Sequence, residues 1–431
     1  MNRILSAVNA IVWGDALLVL LLGTGLLCLF AGVWRVPARI PQLFRRNEGG
    51  AHALSPLQAC TTSLAAAMGT GNIAGVATAL TLGGAGALFW MWVAALIGMA
   101  LLYAENRLGT HFRSRQPDGT LRTGAIACLH DGLHAPWLAW LFALCCTAAA
   151  FGMGNMTQSN TMAATLHAAF RMPPLLTGIL AAGLTGAVIL GGVSRIGKVT
   201  EALIPVLSLA YLIASGIVLW RFHTALPAVC RQIFEEAFGL SALGGGISGA
   251  AVRHAFSVGV RRGVFSNEAG LGSSGLLHGE TDCRDPEVPA LWAMAEVVLD
   301  TFVCCTATAL VILATGAMET GTDGGALVLE AFRRGLGRGA DGFIPLVTAL
   351  FALCTLIGWS YCGSTAFTYL TKGRGCRLFQ IVFCLAAAAG AVLRLDTVWL
   401  LADIANACMA WCHLPALLLL VPVLRRLLHK S

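Results

Sequence analysis

Apolar residues run in long blocks along the 431-residue chain, and polar residues gather in short intervals between them. A helix that crosses lipid needs about 20 mostly apolar residues, at about 1.5 Å of rise each. On that measure the pattern predicts eleven spans. They cover 11–33, 57–82, 85–106, 138–166, 174–192, 199–220, 243–280 with an interruption, 287–317, 341–371, 377–393 and 397–423. The alternating ten-residue segments of a membrane barrel are absent, so strands are not expected. The longest polar stretches are 35–56 and 107–136, and no low-complexity linker or separate polar domain intervenes. The expected organisation is one all-α transmembrane domain over 1–431. The first apolar block follows Arg3, is too long for a signal-peptide core and lacks a small-residue cleavage pattern. It is expected to stay as a helix.

Composition makes lipid the only reasonable exterior. The apolar set is 57% of the chain and charged residues are 11%, against about a quarter charged in a soluble domain. Of the 15 cysteines most lie inside apolar runs, as in Cys145-Cys146 and Cys304-Cys305, and no paired CxxC occurs. They read as reduced, small hydrophobes and not as a disulfide framework. The net charge of +7 is uneven. With the N-terminus outside, seventeen of the 28 Lys and Arg residues fall in inner loops and eight in outer ones, while Arg253, Arg261 and Arg262 lie in the interrupted span. That asymmetry predicts N-out and C-in. The charges are scattered over loops, which disfavours a nucleic-acid surface.

Two apolar spans are interrupted by glycine. The first carries Gly69-Thr70-Gly71-Asn72-Ile73-Ala74-Gly75 at its middle. Glycine disfavours a continuous helix, and in lipid an unwound backbone is tolerated only where it is buried or lines a cavity. A half-helix starting near Asn72 would aim free N–H groups and a positive dipole end at an anion such as a carboxylate. Close packing through small residues is the competing explanation. The second interruption is Ser266-Asn267-Glu268-Ala269-Gly270-Leu271-Gly272-Ser273. Glu268 is costly in lipid unless paired or functional, and it is read either as an ion-pair partner of Arg261 or Arg262 or as a cavity group. The breaks fall in the second and seventh spans. An offset of five reverses direction, as an inverted repeat of five plus five helices with one extra N-terminal helix would. The expected division is 1–56 for the extra helix and inner loop, 57–220 for the first repeat and 243–423 for the second.

These residues carry a resemblance. The run from Gly69 to Ala79, then Gly83-Gly84-Ala85-Gly86-Ala87-Leu88-Phe89-Trp90-Met91-Trp92, resembles the alanine/glycine:cation symporter family. Arg262 to Ser273 resembles its second signature. Trp13-Gly14-Asp15, the stretch from Asp300 to Leu310, Ile357-Gly358-Trp359-Ser360-Tyr361 and Trp399-Leu400-Leu401-Ala402-Asp403-Ile404 extend the likeness nearly end to end. It implies a leucine-transporter-type fold and secondary active import of alanine or glycine with Na⁺ as coupling ion. The setting implied is a bacterial inner membrane, with lipid around the chain and no obligate protein partner. It also implies that Thr70, Gly71 and Asn72 contact the substrate at the first break, as half-helix donors would. Gln158 would line the site, unless its amide only bonds helix to helix. Gly270, Gly272 and Ser273 would close the other side. Trp359 would be an apolar wall limiting side-chain size, or an ordinary packed indole. For the ion, the fold implies carbonyls of Ala65 and Met68 with Thr355, whose hydroxyl has back-bonding to its own helix as its alternative.

Other readings remain beside this one. Glu268, Glu296, Asp300 and Asp403 offer titrating groups, so a proton-coupled or uncoupled permease is the alternative. The sequence departs from the family at Thr123–Cys128, where a Gly-Pro-Met-Tyr-Tyr run is expected, and at His413, where Asn is expected. Gly270-Leu271-Gly272-Ser273-Ser274-Gly275 fits GxGxxG but follows an apolar helix, not a strand, which argues against a dinucleotide site. No HExxH, GxSxG or Walker lysine occurs, so no enzyme is expected.

Overall fold

A computed structural model describes residues 2–45, 54–116, 120–239, 248–281, 285–393 and 396–430. The start of the seventh expected span (243–247) and Arg46, Arg284 and Arg394 of the charge count lie outside the described residues. The first apolar block forms α1 (Asn2–Val12) and α2 (Asp15–Phe30). A short 3-10 stretch, Val33–Arg45, then runs through the first polar interval. The second block is split into α3 (Pro56–Ala67) and α4 (Val76–Gly83), joined through a π-helical turn at Gly71–Gly75. Their sequence starts α3 sharply: the Ser55 hydroxyl accepts from Gln58 N at 3.1 Å and Gln58 Oε1 accepts from Ser55 N at 3.2 Å, a reciprocal cap.

The chain continues through α5 (Gly86–His111), α6 (Pro136–Phe151), α7 (Thr157–Phe170), α8 (Pro174–Ile189) and α9 (Gly192–Arg221). After α10 (Leu226–Phe238) comes the second interrupted segment, α11 (Ser248–Asn267) and α12 (Ser274–His278). Then follow α13 (Glu287–Val297), a π-helical stretch Val298–Cys305, α14 (Thr306–Ala314), α15 (Gly324–Leu336), α16 (Ala340–Leu370), α17 (Cys376–Val392) and α18 (Asp396–Lys430).

Each expected span therefore coincides with a helix or a helix pair. Among the described residues seven helical stretches are long and apolar enough to cross a bilayer, and the bent pair α3–α4 makes up to eight. The helices α8 and α17 are apolar but shorter, and the α11–α12 pair is interrupted. The architecture is all-α, and its exterior is apolar: Val19, Phe30, Val206, Trp220, Leu385 and Leu419 point outward. Three features differ from the sequence expectation. Helices α10 and α15 occupy polar intervals, because each has a single apolar stripe that packs inward through Val229 and Ile233 or Leu327 and Phe332. A two-residue hairpin, Ser114–Arg115 against Leu121–Arg122, sits in the interval 107–136.

The interior is close-packed at the crossings that place the site. A Cβ on Gly358 of α16 would lie 2.7 Å from Ala66 N, so α16 runs directly against α3 just before the break. A Cβ on Gly259 would lie 2.4 Å from Ala87 O, which brings α11 equally close to α5. Small residues allow both approaches.

Candidate functional site

The first break is a true kink. The axes of the two halves differ by 53°. Met68 leaves helical geometry at φ −76° and ψ 78°, and Gly69 N–H donates to Ala67 O at 2.9 Å in place of a carbonyl four residues back. The helix restarts around Thr70, whose carbonyl accepts from both Ala74 N at 2.8 Å and Gly75 N at 3.1 Å. That double acceptance is the π turn, and such turns are frequent at functional sites.

Three predicted residues meet here. Gln158, at the start of α7, accepts at Oε1 from the Thr70 hydroxyl at 3.1 Å and from Thr70 N at 3.4 Å. Its own amide donates to Met153 O at 3.1 Å, inside a second π turn, Gly152–Met156. Thr355 on α16 lies against the same spot: a Cβ on Gly69 would fall 2.4 Å from Thr355 Oγ1 and 3.1 Å from Gln158 Oε1. The Thr355 hydroxyl donates to Phe351 O at 3.2 Å, so it back-bonds to its helix while its lone pairs stay on the side of the break. Ala65 and Met68, which precede Gly69 in the chain, are buried.

Asn72 is not part of that cluster. Its amide turns to the π-helical stretch of 298–305, donating to Asp300 Oδ1 at 2.5 Å, Asp300 O at 3.3 Å and Cys305 Sγ at 3.3 Å. Ser266 Oγ and Thr301 Oγ1 donate to Asp300 Oδ2, each at 2.8 Å. Asp300 thus ties the two breaks together. The carbonyl oxygen of the Asn72 side chain is buried and has no hydrogen-bond partner, which leaves one acceptor facing the interior. Gly71 packs near Phe265, to which its Cβ would be 3.6 Å.

The second break carries three residues with positive φ, Glu268 at 55°, Gly270 at 80° and Gly272 at 87°. Glycine suits the last two; the strain at Glu268 is held by its side chain. Ser273 Oγ donates to Glu268 Oε2 at 2.5 Å and Trp359 Nε1 donates to Oε1 at 2.8 Å. Both carboxylate oxygens are therefore taken by two predicted site residues and not by Arg261 or Arg262, which resolves the ion-pair alternative against the arginines. Arg262 instead stands over the Phe265 ring at 5.9 Å. Trp359 is fully buried, and a Cβ on Gly154 would lie 2.3 Å from its Cβ, so the indole is wedged between the π turn before α7 and the second break. Gly270 and Gly272 face Leu414 and Phe142 respectively.

Further buried acids surround this break. Glu105 on α5 accepts from Gly275 N at 2.9 Å and lies 3.8 Å from His413 Nδ1. Glu296 accepts from Ser63 at 2.8 Å and contacts His278 Nε2 at 2.6 Å. The sequence offers Asp300 and Glu296 only as titrating groups and Ser266 only as the first residue of the second interruption, and Glu105 is not singled out. A charged or polar residue inside an apolar span was the available signal. No group of three or more His, Cys, Asp or Glu side chains set for a metal occurs among the described residues. An alkali cation prefers carbonyl and hydroxyl oxygens instead, such as those near the first break.

Two interrupted helices packed against α16, with buried polar groups at and around the interruptions, give the fold of leucine-transporter-type membrane transporters. The structure of MhsT in complex with L-phenylalanine superposes with a TM-score of 0.60 at 14% identity, covering 89% of this chain and 99% of that one. A manganese transporter from Eremococcus coleocola matches with a TM-score of 0.53 over 84% of this chain and 77% of that one, at 15% identity. These likenesses concern the fold. The model of the sodium:alanine symporter family matches residues 1–430, and the chain belongs to that family. It is 40% identical over 432 residues to the sodium/alanine symporter AgcS of Methanococcus maripaludis, covering 97% of this chain and 94% of that one. It is 39% identical to an uncharacterized transporter of Haemophilus influenzae, over 97% and 93%. The chain is thus a multi-pass membrane transporter and not an enzyme.

Proposed function

We propose that the chain imports a small neutral amino acid, alanine or glycine, by symport with Na⁺. The observation that carries this reading is the meeting of Thr70 and Gln158 at the first break, 3.1 Å apart, with Thr355 beside them. Half-helix N–H groups at Thr70, Gly71 and Asn72 take the substrate carboxylate. Gln158 and the free Asn72 oxygen take its ammonium. Backbone at Gly270 and Gly272, with Ser273, closes the second side, and Trp359 limits the side chain. Na⁺ sits between carbonyls of Ala65 and Met68 and the Thr355 hydroxyl. Residues 57–220 and 243–423 act as two repeats of opposite orientation behind the extra helix and loop of 1–56. The eleven segments all cross a bacterial plasma membrane, with the N-terminus outside and the C-terminus inside.

The AgcS relative supports the substrate. A Bacillus subtilis relative, 35% identical over 430 residues and described as a probable sodium/glutamine symporter, shows why side-chain size must be measured. Proteoliposomes test the proposal. Labelled alanine should accumulate against its gradient only with an inward Na⁺ gradient, and competition should weaken from alanine and glycine through serine to leucine. Equilibration without an ion gradient would exclude coupling. A second reading, proton coupling, is favoured by one observation: the buried His278–Glu296 contact at 2.6 Å. Accumulation driven by a proton gradient in Na⁺-free buffer would select it.

A further inference from the structure

A cavity of about 1000 Å³ lies away from both breaks. Its wall follows the last part of α16, from Tyr361 to Leu370, a helical length of ~14 Å. Tyr361 is two residues, ~3 Å along the helix axis, beyond Trp359, and the cavity reaches the basic residues of the intervals 107–136 and 372–376. Its charges are arranged by sign. Glu280 is the one acidic residue among the described lining residues, and it pairs with the Tyr361 hydroxyl. Arg113 Nη1 donates to Gly279 O at 3.1 Å and Thr281 O at 2.7 Å, which fixes the backbone on either side of Glu280. At the rim, Arg122 is committed to Asp131 and Gln116, both at 2.7 Å, and His130 to the Tyr369 hydroxyl at 2.7 Å. Arg115 and Lys372 are exposed cations on the same cavity.

We propose that this cavity is a second, low-affinity site for the zwitterion of the transported amino acid on its inner path. Glu280 and Tyr361 receive the ammonium group, and Arg115 with Lys372 receives the carboxylate. The proposal rests on the transport reading above and on its N-out orientation. A fixed carboxylate and exposed cations on one cavity hold both ends of a zwitterion while attracting neither a simple cation nor a simple anion to both. Partly solvated charge pairs are weak, which suits a waypoint that must release its cargo.

The test compares inside-out with right-side-out membrane vesicles carrying the full chain, using labelled alanine, for wild type, Glu280→Gln and Arg115→Gln. The inner-face KM for alanine should rise about three- to fivefold in each variant. The outer-face KM should stay within about twofold, which also shows that each variant folds. Unchanged KM at both faces overturns the proposal and leaves a water-filled passage. Equal change at both faces overturns it in favour of a structural role, and change at the outer face alone overturns its sidedness. A shift in the inner-face Na⁺ requirement without a shift for alanine also overturns it, in favour of a cation waypoint. Absence of Na⁺-driven uptake in the wild type is a different failure, that of the transport reading itself.

Discussion

Glu268 is the residue whose role the structure changes most. It looks like half of an ion pair in sequence, because two arginines precede it by six and seven positions. In space its carboxylate joins Ser273 to Trp359, so one acidic group fixes both the turn of the second break and the indole on α16. Glu268→Ala would leave an indole N–H and a hydroxyl buried without partners, at about 1–3 kcal/mol each. Its melting midpoint in detergent should fall clearly, whereas Glu268→Gln, which keeps an acceptor for the indole, should melt near wild type. Equal midpoints for the two would mean that the carboxylate holds nothing in place. Gln158 is expected to act on affinity instead. Removing its oxygen takes away the acceptor shared by Thr70 N and Oγ1, worth about 1–2 kcal/mol. Gln158→Ala should therefore raise the alanine KM about tenfold, together with some fall in melting midpoint from the two donors left unpaired on Thr70. An unchanged KM would remove Gln158 from the site.

At the scale of elements, the kinks were readable because glycine and serine interrupt otherwise apolar runs, and an unwound backbone in lipid has few explanations. The π turns at 71–75, 152–156 and 298–305 were not readable. A hydrogen bond five residues apart leaves no compositional mark, although these three turns carry or adjoin Asn72, Gln158 and Asp300. Asn72 shows the same limit. Its residue type and half-helix position suggested a substrate contact, but its amide partner, Asp300, is 228 residues away in sequence, and no local pattern encodes that meeting. The helices α10 and α15 were missed because their apolar stripes are shorter than a span. The crossing of α16 over the first break makes a sharp prediction. A methyl group at position 69 would lie 2.4 Å from Thr355 Oγ1, and overpacking costs about 1–3 kcal/mol. Gly69→Ala should abolish Na⁺-dependent alanine uptake, and the double variant Gly69→Ala with Thr355→Ala should regain the melting midpoint without regaining Na⁺ dependence. Full uptake by Gly69→Ala alone would mean that α16 does not press on the break.

For the whole molecule, the proposed N-out orientation puts the basic loops and the cavity on the inner face, and on that reading transport should respond to the pH of that face. Glu280 bonds the Tyr361 hydroxyl, and the guanidinium groups of Arg113 and Arg115 act on its charge. Arg122, His130 and Lys372 are the other titratable or charged groups lining the cavity beside Tyr361 and Tyr369. Protonation of Glu280 removes its charge. Burial and the nearby Arg122 push the His130 pKa down. Acidifying the inner face far enough to protonate Glu280 should remove the ammonium partner and leave the rim cations intact. The inner-face alanine KM should climb toward the value of Glu280→Gln. In that variant it should stay high and flat over the same range, apart from any slope shared with the outer face. A wild-type profile parallel to that of Glu280→Gln would place the titrating group elsewhere, with the buried pairs Glu105–His413 and Glu296–His278 next to be tested by the same measurement.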